Sequence, residues 1–275
     1  MKIIVCKGGL GNQMFQYAFY VMLRHYHHCK FDYSLFNFVK IHNGFELPRV
    51  FDLSPLEDKF CTLNIQMIRA FHKLNYYPVF KDKNQYVSNV EKEKAFVFIG
   101  DWQSEKWFSQ FKEEVLKSFS FKNIMKRNLQ ESRVMQSCNS VSVHIRRGDY
   151  VGNRLYENCA TLDYYKKALA YIRQQSPDCK IWIFSNEIPW CKEYLSEFID
   201  NSTSFVDWNM GMNSYQDMFL MSQCKYNIIA NSSFSWWGAY LNRNESKIVV
   251  APAKWFNTQN IELYKDIVPE TWVRF

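Results

Sequence analysis

Ser140-Val-Ser-Val-His-Ile-Arg-Arg-Gly-Asp-Tyr150 reads as a buried strand over 140–145 that runs straight into two arginines and a glycine. Outward from it, the second half of the chain alternates at short intervals. Helices are predicted near 123–137, 162–175, 188–199, 214–224 and 233–242, and further strands over 180–185, 203–207, 226–230 and 246–250. Such alternation means a parallel sheet with helices on both faces. Ligands bind such sheets outside the carboxyl ends of the strands, so the residues directly after each strand carry the functional information. Here these are Arg146 and Arg147, then Ser185, Asn186 and Glu187, then Asp207 and Asn209, then Asn231, Ser232 and Ser233.

The first half starts on the same pattern. A strand over 3–6 meets the turn Gly8-Gly9-Leu10-Gly11-Asn12, and an apolar-periodic helix follows over 13–28. Weak strands and loops follow at 31–33 and 45–53, then a helical patch over 63–74 and a strand over 95–100. Asp101-Trp-Gln-Ser-Glu105 opens a helix reaching about 118. The 275 residues fill two α/β domains of about 130 residues each without spare linker. The boundary is placed near 135, giving domains 1–135 and 136–275, with the aromatic tail of Trp255, Phe256 and Trp272 crossing back toward the first.

Composition excludes several classes. With 47% hydrophobic and 18% aromatic residues the chain has material for sizeable cores and is not disordered. The net charge of +7 is scattered, which speaks against a nucleic-acid-binding tail and leaves a basic cleft for an anionic small molecule. The stretch 112–133 is locally basic and reads as a contact with anionic lipid headgroups or a pyrophosphate-linked acceptor, or, in preference, as a solvated helical face. The eight cysteines show no C-x-x-C or zinc-like spacing and read as free thiols. The chain enters a strand at once, without a signal-peptide pattern, and no apolar run approaches about 18 residues. A cytoplasmic protein is expected, including one held peripherally on the inner face of the plasma membrane.

Two adjacent arginines before Gly148 and Asp149 supply forked donors suited to a phosphate or pyrophosphate; the competing reading pairs one of them with Asp149 in a surface ion pair. Asn231-Ser-Ser-Phe-Ser-Trp-Trp-Gly238 lies between strand and helix, where backbone N–H groups and the Ser232 and Ser233 hydroxyls form an anion site or an ordinary N-cap. Trp236 and Trp237 read as core. The Gly8-to-Gly11 turn lets backbone approach a ligand, but it lacks the G-x-G-x-x-G spacing of dinucleotide enzymes. Asn12 and Gln13 are suited to hydrogen-bonding a sugar or phosphate, or to capping the helix. No Asp-x-Asp occurs, so the charge of a departing phosphate would be met by arginines and amides rather than by a chelated metal. His25, His27 and His28 fit a helix C-terminus better than a metal site. Asp217 either accepts two hydrogen bonds from a guanine edge or closes a capping box with Ser214; unaided, the cap is favoured.

Three long motifs in order, Gly8-Gly-Leu-Gly-Asn-Gln-Met-Phe-Gln-Tyr-Ala18, His144-Ile-Arg-Arg-Gly-Asp-Tyr150 and Asp217-Met through Asn231-Ser-Ser-Phe-Ser-Trp-Trp-Gly-Ala239, resemble the α1,2-fucosyltransferases of glycosyltransferase family 11. Blocks at 100–108, 184–192, 206–207 and 251–256 look like the same family, so the resemblance spans nearly the whole chain. It implies a GT-B fold, two Rossmann-like doubly wound domains facing across a cleft, and inverting transfer of L-fucose from GDP-fucose to the 2-hydroxyl of a terminal β-galactoside. It implies no cofactor or metal, a donor bound mainly by the second domain, and a galactose-terminated oligosaccharide or lipid-linked glycan as acceptor. On this resemblance Gly9, Gly11, Asn12, His144, Arg146, Arg147, Asn186, Asp217, Asn231, Ser232 and Ser233 bind the donor, with Asp217 meeting guanine. Arg146, Asp149 and Asn12 are the expected catalytic residues, Asp149 as base or as brace for the arginines and Asn12 as the group that positions the hydroxyl. Asp101 and Glu187 depart from the family pattern, which more usually has an aromatic residue and Asp there. Rival classes are an α1,6-fucosyltransferase and a non-catalytic GDP-sugar or glycan-binding protein.

Overall fold

The computed structural model describes residues 1–39, 42–53, 60–61, 78–196 and 199–275. It forms two compact units, Met1–Lys122 with Lys265–Ile267, and Asn123–Tyr264 with Val268–Phe275.

In the first unit, β1 (Lys2–Val5), β2 (Cys29–Asp32), β3 (Phe60–Cys61), β4 (Val79–Lys81) and β5 (Val97–Ile99) form a parallel sheet in the order β3-β2-β1-β5-β4. The reversal of strand order falls between β1 and β5, so the Gly8–Gly9 turn and the Gly100–Gln103 turn leave adjacent strand ends. Helix α1 (Leu10–Leu23) buries every residue except Asn12. Such a helix, apolar nearly all round, belongs inside a core. It begins three residues earlier than the periodicity predicts and stops before the histidines. Those histidines therefore do not cap it: His25 Nε2 lies 2.6 Å from Glu114 Oε2, and His27 Nε2 lies 2.6 Å from the Glu91 carbonyl. No group of three His, Cys, Asp or Glu side chains suited to a metal occurs among the described residues. The helical patch expected over 63–74 lies outside the described residues, and a short helix α2 (Leu47–Val50) occupies the segment read as loop or strand.

The helix predicted from Asp101 does not form as one piece. Trp102 adopts a left-handed backbone (φ 54°), and two 3₁₀ turns, Glu105–Trp107 and Ser109–Phe111, precede α3 (Lys112–Ser118). A left-handed tryptophan costs roughly 1–3 kcal/mol. Full burial of its ring, stacked 3.8 Å from Phe19, offsets that cost, and Asp82 Oδ2 accepts the Trp102 backbone N–H at 2.9 Å.

The second unit holds α4 (Lys126–Gln136), β6 (Ser140–Ile145), α5 (Leu162–Gln175), β7 (Lys180–Ser185), α6 (Ile188–Tyr194), β8 (Thr203–Val206), α7 (Tyr215–Gln223), β9 (Tyr226–Ile228), α8 (Ser233–Tyr240), β10 (Val249–Ala251) and β11 (Val273–Arg274). The order β11-β10-β9-β6-β7-β8 is all parallel and is the doubly wound Rossmann order. Alternation along β7 divides the core: Ile181 and Ile183 join Leu169 and Ile172 of α5, while Trp182 and Phe184 join Met135, Leu220 and Met221 of α4 and α7.

The structural division falls at 122/123 rather than near 135, because α4 buries Asn128 and Met135 in the second unit. The aromatic tail also differs from expectation. Trp255, Phe256 and Trp272 lie in the second unit, where Trp272 packs 5.4 Å from Trp236, and only Lys265–Ile267 joins the first. There Asp266 accepts from Lys106 Nζ at 2.6 Å. Trp236 and Trp237 are fully buried, as read from the sequence.

A methyl group on Gly100 would stand 2.2 Å from Asp82 Cβ and 2.9 Å from the Trp102 ring. Gly100→Ala is expected to destabilise the first unit by about 2–3 kcal/mol, seen as a lower urea midpoint in tryptophan fluorescence. An unshifted midpoint would contradict the tight contact among Gly100, Asp82 and Trp102.

Candidate functional site

The switch point of the second sheet lies between β6 and β9, the position where doubly wound folds bind ligands. The sequence delivers Arg146-Arg147-Gly148 after one strand and Asn231-Ser232-Ser233 after the other. Arg147 is braced on several sides. Its Nε donates to Glu187 Oε2 at 2.8 Å, its guanidinium lies 3.9 Å over Trp190, and its backbone N–H donates to Asn186 Oδ1 at 3.0 Å. Glu187 also accepts the Gly148 N–H at 2.8 Å. The Arg147 hydrogen bond, then the Gly148 one, hold the Glu187 carboxyl below the ordinary range. Gly148 has a φ of 59°, and a Cβ there would stand 2.4 Å from Asn186 Nδ2, so any other residue is strained and displaces the Asn186 amide.

Arg146 is held differently. It donates to Asp149 Oδ1 at 2.6 Å and lies 5.4 Å over the Tyr150 ring. Asp149 is 57% exposed, so this ion pair faces water. The competing surface-pair reading thus describes Arg146 as the structure presents it, and Arg147 pairs with Glu187 instead. Tyr150 closes the loop: it donates to the Asn231 carbonyl at 3.3 Å and stacks 4.6 Å from Tyr156. Asn231 is buried, and its amide donates to the Tyr156 and Trp255 carbonyls at 3.1 Å each, so it braces the loop. Ser232 caps α8, accepting the Phe234 N–H at 3.3 Å, and Ser233 opens the helix half-buried. This is the N-cap reading.

His144 is buried at the end of β6. Burial first, and the Arg146 charge second, pull its pKa down to about 3, so the ring is neutral and takes no proton at ordinary pH. Its Nδ1 has no hydrogen-bond partner among the described residues.

Asp217, on α7, does not form the capping box: the Ser214 side chain makes no cap bond, and Asp217 Oδ1 accepts from Asn209 Nδ2 at 2.8 Å. Burial pushes its pKa up to about 8, against the lowering effect of that hydrogen bond.

In the first unit, α1 stitches its own switch point. Gln13 donates to the Gly8 and Gly44 carbonyls at 3.0 and 2.8 Å and accepts the Glu46 N–H at 2.9 Å. Gln16 accepts the Lys7 N–H at 2.9 Å and donates to the Gly100 carbonyl at 3.1 Å. Gln13 is therefore a brace, neither cap nor ligand group. Gly9 precedes α1, with the His42 ring 3.1 Å from where a Cβ would stand, and Gly11 is buried in the helix. Asn12 Oδ1 accepts from Gln103 Nε2 at 2.9 Å, which fixes Asn12 Nδ2 as the group able to donate elsewhere. Asp101 pairs with Lys7 at 2.8 Å. Gln103, Trp190 and the clasping role of Tyr150 were not legible as site residues, because their partners are about 40 to 90 residues away in the chain.

A folded-state pKa raised above the unfolded value means that folding favours protonated Asp217. The contribution of this group to stability is then greatest below about pH 4 and falls as pH rises toward about 8, with a limiting slope of about 1.4 kcal/mol per pH unit. Asp217→Asn is expected to remove this slope and gain on the order of a few kcal/mol relative to the native chain between pH 5 and 8. Guanidinium midpoints at the two pH values measure it; parallel shifts in both proteins would refute it.

The profile of glycosyl transferase family 11 matches residues 1–275. An alpha-1,2-colitosyltransferase of Escherichia coli is 36% identical over 290 aligned positions, covering 100% of this chain and 99% of that protein. A galactoside 2-alpha-L-fucosyltransferase of Caenorhabditis elegans is 27% identical over 47% of this chain and 38% of its own length. Among solved structures, fucosyltransferase NodZ from Bradyrhizobium superposes with a TM-score of 0.51 at 13% identity, covering 86% of this chain and 90% of that one, a likeness of fold. With a family match over its whole length and a full-length relative, and with two doubly wound units of GT-B type, this chain belongs to glycosyl transferase family 11.

Proposed function

We propose that the protein transfers L-fucose from GDP-fucose to the 2-hydroxyl of a terminal β-galactoside, with inversion at the sugar's C1. What supports this reading is that the loop carrying Arg146 follows β6 and the Ser232-capped start of α8 follows β9, the two adjacent strands of the switch point, which suits them to a sugar-nucleotide pyrophosphate. In the transfer, the bond from C1 to the β-phosphate oxygen breaks with its electrons on GDP. The acceptor oxygen forms the new bond to C1, and its proton leaves to a base or solvent. Arg146 neutralises the charge developing on the departing phosphate, while Arg147, locked by Glu187 and Trp190, keeps the loop in place.

Asn12, Gly9 and Gly11 are assigned to the sugar and acceptor side. Asn12 positions the hydroxyl through Nδ2, because its oxygen is engaged by Gln103. Asp149 is assigned as a brace: it already accepts from Arg146, and a carboxylate so engaged is a weak proton acceptor. His144 and Asn186 shape the strand ends beneath the phosphates, and Asp217 meets guanine, whose N–H donors favour the carboxylate over the protonated form that burial favours in the free protein. No metal or other cofactor enters this scheme, and the acceptor is a galactose-terminated oligosaccharide, free or lipid-linked. The lipid-linked form would be met by a cytoplasmic protein held at the inner face of the membrane. No helix among the described residues is long and apolar enough to cross one.

A second donor reading rests on the full-length relative, named as a colitosyltransferase. Colitose lacks the 3-hydroxyl of fucose, so the same site could accept either sugar. Incubation with GDP-fucose or the colitosyl donor and a panel of β-galactosides, with EDTA present, followed by linkage analysis, decides between them. An α1,2-fucosylated product is expected; donor hydrolysis alone, an α1,6 product, or loss of activity in EDTA would each refute part of the proposal. Arg146→Ala is expected to lower kcat on the order of a hundredfold with little change in KM. Normal turnover by a folded variant would remove Arg146 from the phosphate role.

A further inference from the structure

Asp217 stands at the end of a chain of buried amides that the transfer step does not use. Gln216 Oε1 accepts the Met125 backbone N–H at 2.8 Å, and Trp208 Nε1 donates to Asn128 Oδ1 at 2.7 Å. Both of these N–H groups can only donate, so each dictates which end of its partner amide is oxygen. Asn128 then has only Nδ2 to offer its other neighbours, and it donates to Gln216 Oε1 at 2.6 Å and to Asn209 Oδ1 at 2.8 Å. With its oxygen committed, Asn209 directs Nδ2 back to Asn128 Oδ1 at 3.3 Å and onward to Asp217 Oδ1 at 2.8 Å. Asn128, Gln216 and Asn209 are 0%, 1% and 6% exposed. Turning any one amide over would set oxygen against oxygen and N–H against N–H away from water.

We infer that Asn128 is a positioning residue for base recognition: the relay Trp208–Asn128–Asn209 is locked in polarity, so that Asp217 meets a donor and presents an acceptor carboxylate to a purine edge bearing N–H groups. This rests on the proposed reading that Asp217 meets guanine. The relay favours a guanine-type edge over an adenine-type edge, whose ring nitrogen at the corresponding position is an acceptor. It acts through Asn209, since Asn128 itself is completely buried.

The surrounding charges do not account for the state of Asp217. Helix α8, packed on α7, carries no charged residue, and Asp217 is the only one on α7. Helix α4 brings Lys126, Arg127, Glu131 and Arg133; Arg127 lies 3.6 Å over Trp208, and Glu131 accepts from Trp182 Nε1 at 2.6 Å. Asp207 lies in the loop before Asn209. None of these enters the shift of Asp217, which burial raises and the Asn209 hydrogen bond lowers.

Two neutral variants test the relay in the full chain: Asn128→Leu removes the amide that sets Asn209, and Trp208→Phe removes the N–H that sets Asn128 while keeping a ring under Arg127. The readouts are the Asp217 carboxyl titration in the free protein by ¹³C NMR, assigned by its loss in Asp217→Asn, and the affinities for GDP and ADP by calorimetry at pH 7. The Asp217 midpoint is expected to rise by about one pH unit in Asn128→Leu and by a smaller step in Trp208→Phe. The preference for GDP over ADP should fall about tenfold in the first variant. A native midpoint in folded variants overturns the relay, and Trp208→Phe alone decides if Asn128→Leu does not fold. If Asp217→Asn keeps native GDP affinity and GDP preference, the guanine reading fails separately, whatever the titrations show.

Discussion

Two guanidinium groups leaving one strand side by side repel each other, and the arrangement at the end of β6 is organised around holding them there. Arg146 and Arg147 are split between separate carboxylates, Asp149 on one side and Glu187 on the other, each within 2.8 Å. The two pairs are not equivalent. Glu187 is tied to the backbone of Gly148 as well as to Arg147, so that pair fixes the loop, whereas the exposed Asp149 pair can be exchanged for another anion at little cost. The remaining groups follow from this constraint: a glycine at positive φ to let Asn186 approach, Trp190 beneath Arg147, and a neutral histidine behind, where another charge would add to the repulsion.

Both units solve the problem of a switch point with side-chain amides. A strand-end turn leaves backbone groups without partners, and buried amides can satisfy a donor and an acceptor at once. Gln13 and Gln16 do this in the first unit, and the Asn231 amide donates to two loop carbonyls in the second, while the Asn128–Asn209 pair links side chains beyond the edge strand β8. The consequence for function is that the polar groups left over, Asn12 Nδ2 in one unit and Asp217 in the other, have their hydrogen-bonding character decided by neighbours.

Much of this was legible in advance. The second-unit elements predicted at 140–145, 162–175 and 180–185 coincide with β6, α5 and β7, because long strictly patterned segments leave little choice of period. The Asp101 segment shows where local reading fails. Its Ser and Glu pattern resembles a helix start, but Asp82, about 20 residues earlier, and Phe19, far earlier still, hold Trp102 in a left-handed backbone that no local preference favours. The boundary at 122/123 is not legible in the sequence for a related reason. Helix α4 is strongly polar in sequence, and what assigns it to the second unit is buried Asn128 with its hydrogen bonds and Met135 in the core.

The sequence by itself determined the parallel two-sheet architecture, the family, and the placing of two arginines and a serine cap directly after the strands that flank the second sheet's switch point. These depend on periodicity and on residues adjacent in the chain, which a linear reading sees. Only the tertiary structure decided which carboxylate holds which arginine, that Asn231 and Gln13 brace loops, and that Asp217 is governed by Asn209 rather than capped by Ser214. Hydrogen-bond polarity and burial are set by partners brought together from distant segments, and no local pattern records them.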